Sequence, residues 1–213
     1  MVAAPSTNLR VVGDEETSKR RQIIEGARKV FMDLGFDGAS MGEIARAAGV
    51  SKGTLYVYFA DKSRLFEAIV EEETVEQGKI TFNLDPERDV TTTLTEFGQA
   101  YIAIICRPGG GSAIRTVMAI AERMPDVGRR YYEHVLEQTI SRLATYLDAR
   151  VKLKELAIDD CQFAASQFML MCQASLFLPF IFQAAPAPSP EHIAQVVGSA
   201  TRMFLAGYRA KKD

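Results

Sequence analysis

The chain has 213 residues, enough for one or two domains with a substantial buried core. Apolar residues make up 47% and charged residues 24%, the balance of a folded globular protein rather than of a disordered or repetitive one. A net charge of −2 argues, taken alone, against a nucleic-acid binder; three cysteines (Cys106, Cys161, Cys172), odd in number and far apart, exclude a disulfide scaffold and fit a reducing cytoplasm.

The charge is unevenly placed. Residues 17–64 hold nine Lys/Arg against five Asp/Glu, whereas residues 65–213 hold fifteen against nineteen. A small basic module joined to a larger acidic one suits phosphate contact by one end only. Residues 1–16, with Pro5 and few large apolar side chains, read as a flexible arm. No apolar stretch follows basic residues there, so neither a secretory signal nor a transit peptide is expected. Arg10 and the run Lys19-Arg20-Arg21 are either a solvated helix start or contacts to DNA backbone or minor groove.

A first helix is expected over 18–35, where Ile23, Ala27, Val30, Phe31 and Leu34 recur at three- and four-residue spacing and Gly35 supplies a stop. Two short helices joined by a tight turn follow. Ser40 and Glu43 form a capping box, and Ile44, Ala45 and Ala48 give a narrow apolar stripe. Gly49 tolerates positive φ, Val50 fills the corner, and Ser51 caps the next helix. On that helix Leu55 and Phe59 point inward, leaving Lys52, Thr54, Tyr56 and Tyr58 to offer a cation, hydroxyls and flat rings to a major groove. The two tyrosines have core packing as their alternative.

Asp61 caps a fourth helix whose buried face is Leu65, Phe66, Ile69 and Val70, and which fades before Asn83 to Pro86. Further helices are expected over 88–106, 112–124 (with Ser112 as cap), 126–151, 159–183 and 191–211. Gly109-Gly110-Gly111 lacks the strand, lysine and hydroxyl order of a phosphate loop and reads as a connector. No stretch alternates strictly, so no sheet is expected. The predicted fold is all-α: an arm (1–16), a three-helix helix-turn-helix domain (17–64) and a larger helical ligand-binding and dimerisation domain (65–213).

No Asp, Glu, Lys or Arg occurs from Cys161 to Pro190. A membrane span is one reading, but the densest apolar part is slightly short, is interrupted by Gln167, Gln173, Pro179 and Gln183, and lacks a flanking basic cluster. A helix buried nearly all round, with one side on its own domain and the other on a partner chain, accounts for it better. The last helix carries a matching stripe of Ile193, Val196, Val197, Ala200, Phe204 and Tyr208. Two such helices from each of two subunits make a four-helix homodimer interface through residues 159–211, with no membrane involved.

Over residues 19–69 the chain resembles TetR/AcrR-family transcriptional regulators. The residues that carry this are Ile24, Ala27, Phe31, Gly35 and Phe36, then Ser40, Ile44, Ala45, Ala48, Gly49 and Val50. They continue through the run Ser51-Lys52-Gly53-Thr54-Leu55-Tyr56-Val57-Tyr58-Phe59 to Asp61, Lys62, Leu65 and Phe66. The resemblance implies a homodimer on a palindromic double-stranded operator. It implies a small-molecule effector in the C-terminal domain that relieves repression, although some members activate. It brings no catalytic residues and no cofactor.

The DNA-contacting set it implies is Ser40, Ser51, Lys52, Gly53, Thr54, Tyr56, Tyr58 and Lys62. Lys52 offers a cation to guanine acceptors or a phosphate, Gly53 lets the backbone approach, and Thr54 reaches a thymine methyl or a phosphate. Tyr56 and Tyr58 match family positions that contact backbone phosphates or bases, and Lys62 resembles a phosphate-contacting residue. In the larger domain Tyr101, Arg115, Met118, His134, Gln138, Phe163, Gln167 and Gln173 are candidates for a largely apolar effector cavity with a few polar atoms. Their alternative is surface or satisfied core. His134 and His192 pair with no cysteine in sequence, so metal binding is not expected. The competing functions are a redox sensor acting through one of the cysteines, and an enzyme that happens to contain a helix-turn-helix.

Overall fold

A computed structural model describes residues 9–78, 82–107 and 110–210; all statements of structure concern these. Residues 1–8 of the expected arm, Gly109 of the glycine connector, and the side chains of Arg10 and Ser112 lie outside the described set. The described chain is helical, with no strand and one isolated antiparallel bridge between Leu156 and Arg209. The chain separates into two units, residues 1–73 and 74–213.

The first unit holds α1 (Leu9–Gly38), α2 (Met41–Ala47), α3 (Lys52–Tyr58) and most of α4 (Lys62–Gly78). Two expectations need correction here. Residues 9–16, assigned to a flexible arm, are helical. No proline lies between Pro5 and Gly35 to stop α1 from extending toward the N-terminus. The unit also ends at Glu73 rather than after Arg64. The reason is packing: Leu65, Phe66 and Ile69 are buried, Phe66 stands edge-on to Phe31 and Phe36 at 5.6 and 5.7 Å, and Glu72 lies 3.5 and 3.6 Å from the guanidiniums of Arg20 and Arg28. These contacts hold three turns of α4 against α1.

The second unit contains α5 (Val90–Ile105), α6 (Gly110–Ile120), α7 (Pro125–Tyr131), a π-helical segment (Tyr132–Glu137), α8 (Gln138–Lys152), α9 (Cys161–Ile181) and α10 (Pro190–Tyr208). The single helix expected over 126–151 is therefore interrupted by the π segment, and α6 begins at Gly110, ahead of Ser112. The core lies where α5, α8, α9 and α10 meet, around Leu94, Phe97, Ile102, Leu143, Leu147, Phe168, Val197 and Phe204. Helix starts follow the sequence signals: Asp89, Asp160 and Ser189 accept the backbone N–H groups of Thr92, Phe163 and His192.

α9 is long and apolar enough to cross a membrane by length and composition alone, and 39% of its most apolar stretch of eighteen residues is buried within the chain. Ala164, Ala165, Phe168, Met169, Cys172 and Leu176 face the core. Phe163, Leu170, Leu178 and Phe182 stay exposed, together with Met203 of α10. Within one chain, then, one face of α9 is packed and the other is bare.

Candidate nucleic-acid interface and ligand cavities

The helix-turn-helix is built by short local bonds. The Ser40 hydroxyl oxygen accepts the Glu43 N–H at 3.2 Å, and the Glu43 carboxylate accepts the Ser40 N–H at 3.0 Å and its O–H at 2.7 Å. These bonds, the Ser40 hydroxyl first, hold the Glu43 carboxyl below its ordinary range. Gly49 turns the chain at φ 65°, and the Val50 N–H donates to Ala45 O at 3.0 Å. Ser51 then caps α3: its hydroxyl oxygen accepts the Thr54 N–H at 3.0 Å and lies 2.8 Å from Thr54 Oγ1. From α1 the Gln22 amide donates to Ala48 O at 2.6 Å, tying down the end of α2.

This frame orients α3. Leu55 is fully buried and Phe59 is 5% exposed. Burying a leucine or phenylalanine stabilises by about 1.5–3 kcal/mol, which sets which way the helix faces. The outward side carries Lys52, Gly53, Tyr56 and Val57, the last two 53% and 82% exposed. Tyr56 is thus not core, while Thr54 and Tyr58 are half-buried. Lys52 lies across Gly42, where an added Cβ would stand 2.8 Å from Lys52 Cε.

Two basic residues are placed otherwise than the sequence suggests. Lys62, expected on a phosphate, donates to Phe36 O at 2.7 Å and to Asp37 O and Ala39 O at 3.3 Å, with its ammonium 4.6 Å from the Phe36 ring centre. It closes the C-terminal end of α1, where unpaired carbonyls attract a cation. Arg20 pairs with Glu72 and lies over the Phe59 ring at 5.5 Å, so it belongs to the packing of α1 against α3 and α4.

The eight residues expected around an effector are spread over α5, α6, the π-helical segment, α8 and α9. The Gln173 amide donates to the buried Tyr101 hydroxyl at 2.6 Å, the Tyr208 hydroxyl donates to Gln167 Oε1 at 2.6 Å, and Arg115 donates to Ile181 O at 3.3 Å. Burial raises the Tyr101 phenol above its ordinary value. Met118 and Phe163 are 65% and 60% exposed, and His134 and Gln138 are exposed too. None of the eight lines either of the two cavities described next, which lie in the second unit. One, of about 480 Å³, lies between residues 82–86 and α8, walled by Phe82, Leu84, Pro86, Tyr146 and Ala149 with Arg142 and Thr145 beside them. The other, of about 830 Å³, is a charged cleft with Arg88, Asp89, Arg150, Lys154, Glu155 and Arg209. The sequence signal for the first was half present: Arg142, Thr145, Tyr146 and Ala149 share one face of α8 by spacing, but nothing local shows that residues 82–86 cover it.

The thiols are shielded. Burial pushes Cys106 up to about 11 and Cys172 up to about 12, and it raises Cys161 as well. Among the described residues no three His, Cys, Asp or Glu side chains gather as a metal ion would require.

The described residues thus form a helical protein with an N-terminal helix-turn-helix, a DNA-binding motif, and a separate helical C-terminal unit. The chain matches the family described as bacterial regulatory proteins, tetR family, over residues 23–69, and the AefR-like transcriptional repressor, C-terminal domain, over residues 92–210, more than half its length. It belongs to the TetR family of transcriptional regulators. Among curated relatives it is 35% identical over 68 residues to the transcriptional repressor AcnR of Corynebacterium glutamicum, covering 32% of this chain and 36% of that one. It is 44% identical over 57 residues to the regulator AcrR of Shigella flexneri, covering 27% and 26%. The matches thus span about a third of those relatives or less. Solved structures are similar over nearly the whole chain. The flavonoid-responsive regulator FrrA is 28% identical with a TM-score of 0.75, covering 92% of this chain and 100% of that one. A TetR-family regulator from Mesorhizobium loti is 27% identical with a TM-score of 0.73, covering 91% and 98%.

Proposed function

We propose that this regulator is a cytoplasmic, dimeric repressor that holds a palindromic operator and is released by a small, largely apolar effector. The observation that carries the DNA-binding part is the outward side of α3, where Lys52, Gly53, Tyr56 and Val57 stand exposed on a helix anchored from behind by Leu55. Ser40, Ser51, Thr54 and Tyr58 flank it as phosphate or base contacts, and Lys62 supports it from the end of α1. Dimerisation uses the bare faces of α9 and α10, because Phe163, Leu170, Leu178, Phe182 and Met203 form an apolar surface that a second copy would cover. Relatives described as repressors, and one solved relative described as flavonoid-responsive, support repression and a flat organic effector.

An activator on the same fold would bind DNA by the same helix, and reporter expression with and without the gene separates the two. The redox reading has less support, since burial raises all three thiols and so disfavours the reactive thiolate.

The test is a gel shift on the promoter beside the protein's own gene, with light scattering to follow the dimer. Lys52→Ala and Tyr56→Ala are each expected to weaken binding by about tenfold or more while the dimer persists. A folded dimer that binds no such DNA at low salt, or variants that bind as the wild type does, would overturn this reading.

A further inference from the structure

Lys52 opens α3, and Gly42 lies in the first turn of α2. A Cβ built on Gly42 would stand 2.8 Å from Lys52 Cε and 3.2 Å from its Nζ, and the next nearest contact is the Ser40 hydroxyl oxygen at 3.8 Å. The first distance is too short for two carbon atoms that are not bonded; the last is an ordinary contact. The space that a side chain at position 42 would fill is therefore occupied by the end of the lysine, while the Ser40 cap stands clear of it.

No hydrogen bond or ion pair to a described residue holds the Lys52 ammonium. The one carboxylate of α2, that of Glu43, accepts the N–H and O–H of Ser40 instead. Lys52 is exposed, and a lysine stem has several rotatable bonds, so what guides it is the surface on which it lies. Its aliphatic stem rests on the bare backbone of α2 and its charged tip stays free. Such a side chain has given up part of its rotamer freedom before any partner arrives, and it has no internal bond to break on meeting one.

We infer that Gly42 is a positioning residue for DNA recognition: its missing side chain lets Lys52 lie against α2, and so fixes where the ammonium meets an acceptor of the duplex, a guanine edge or a phosphate oxygen. The inference rests on the reading of α3 as the DNA-contacting helix. Gly42 need touch no DNA itself. Alanine at this position has a distinctive signature, because its two effects run in opposite directions. Alanine is the better helix former and narrows the unfolded ensemble, and what it displaces is the far end of a flexible side chain, so the fold keeps or gains stability. The ammonium, however, is pushed off α2, and DNA binding falls. A packing defect would lower both together.

The experiment compares Gly42→Ala, Lys52→Ala and the double variant in the full-length protein. It uses thermal melts, fluorescence anisotropy on the promoter DNA that the wild type binds, and carbon NMR of lysines labelled at Cε, where the Lys52 signal is identified by its loss in Lys52→Ala. Gly42→Ala should melt at or above the wild-type temperature, shift the Lys52 Cε signal, and weaken DNA binding about threefold or more. In the Lys52→Ala background the same substitution should leave the affinity unchanged. The slope of log affinity against log salt falls by about one in Lys52→Ala where the acceptor is a phosphate and holds where it is a base edge, and Gly42→Ala should follow it. A Lys52 signal that does not move in Gly42→Ala would overturn the inference. So would an equal loss of affinity with and without Lys52, which would put the added methyl itself against the DNA, or wild-type affinity in Gly42→Ala. Failure of the wild type to bind DNA would strike the regulator reading instead, and the Lys52 signal would still decide whether Gly42 places that side chain.

Discussion

Gly26 lies so close to Ala48 that a Cβ on it would stand 2.6 Å from the nitrogen, Cα and Cβ of Ala48. The close approach of α1 to the end of α2 is therefore set by a missing side chain. The contact adjoins the bond from Gln22 to Ala48 O, which fixes the same residue from one turn earlier in α1. Because the atoms met include backbone, they cannot rotate aside. Gly26→Ala should push α2 off α1, lowering stability by about 1–3 kcal/mol despite the better helix propensity of alanine. It should also reduce operator affinity by tilting α3. A thermal melt and a gel shift check both; an unchanged or raised melting temperature would show that the helices can separate freely.

Lys62 tests whether a basic residue near the expected interface serves the fold or the DNA. Its ammonium meets three carbonyls at the end of α1 and the face of Phe36. Lys62→Met removes these bonds while keeping the length of the side chain. The expected loss is about 1–2 kcal/mol, since the site is only partly buried and water recovers some of the carbonyls. If Lys62 instead neutralised a phosphate, the slope of log affinity against log salt would fall by about one in the variant. An unchanged slope with a lowered melting temperature is the outcome expected.

Much of this could be read before any coordinates. The capping box at Ser40 and Glu43, the turn at Gly49, the cap at Ser51 and the inward pair Leu55 and Phe59 are all local, set by residues within four positions of one another, and each appears where the sequence puts it. What the sequence concealed is long-range. Lys62 lies 26 residues from its Phe36 carbonyl, Arg150 lies 64 from Pro86, and Gln173 lies 72 from Tyr101. Residue type marks such groups as polar but does not say whether water, DNA or a distant carbonyl satisfies them. Gln167, which the sequence offers to an effector, likewise accepts the Tyr208 hydroxyl from 41 residues away.

Acid should loosen both units through their helix caps. The hydroxyl and N–H of Ser40 hold the Glu43 carboxyl below its ordinary 4.5, and the Thr92 N–H and hydroxyl hold Asp89 below its ordinary 3.8. A carboxyl whose folded pKa is depressed contributes stability above its unfolded pKa and loses it as pH falls through the folded value. Urea midpoints should therefore be level down to about pH 5 and decline below about pH 4.5. Ser40→Ala should be less stable at neutral pH and should reduce the part of the decline owed to Glu43. An equally steep decline in that variant would show that other carboxyls govern it.

The bare side of α9 predicts an oligomeric state. Leu170 is 64% exposed in the isolated chain and Phe182 is 77% exposed. Leu170→Glu leaves the chain's own core untouched, so it should keep the helical signal of the wild type. A carboxylate placed in an apolar contact between two copies is left without a partner, at a cost of several kcal/mol. The variant should sediment at half the mass of the wild type and bind operator with the shallow dependence of single half-sites. A variant that remains dimeric would place the contact on another face.

Val57 makes the sharpest prediction about base choice. It exposes 82% of its area on α3, one helical turn from Gly53, whose lack of a side chain leaves the valine methyls open toward an approaching duplex. A branched apolar group has no hydrogen bond to offer, and the apolar feature that a major groove presents is the thymine C5 methyl. Val57→Ala should weaken binding to an operator that carries that thymine, and replacing the thymine by uracil should weaken the wild type by a similar factor. The two changes together should cost little more than either alone, because each removes one side of the same contact. Fluorescence anisotropy across the thymines of one half-site measures this coupling. Strict additivity at every thymine would mean that Val57 faces the sugar-phosphate backbone or solvent, leaving base choice to Lys52 and Thr54.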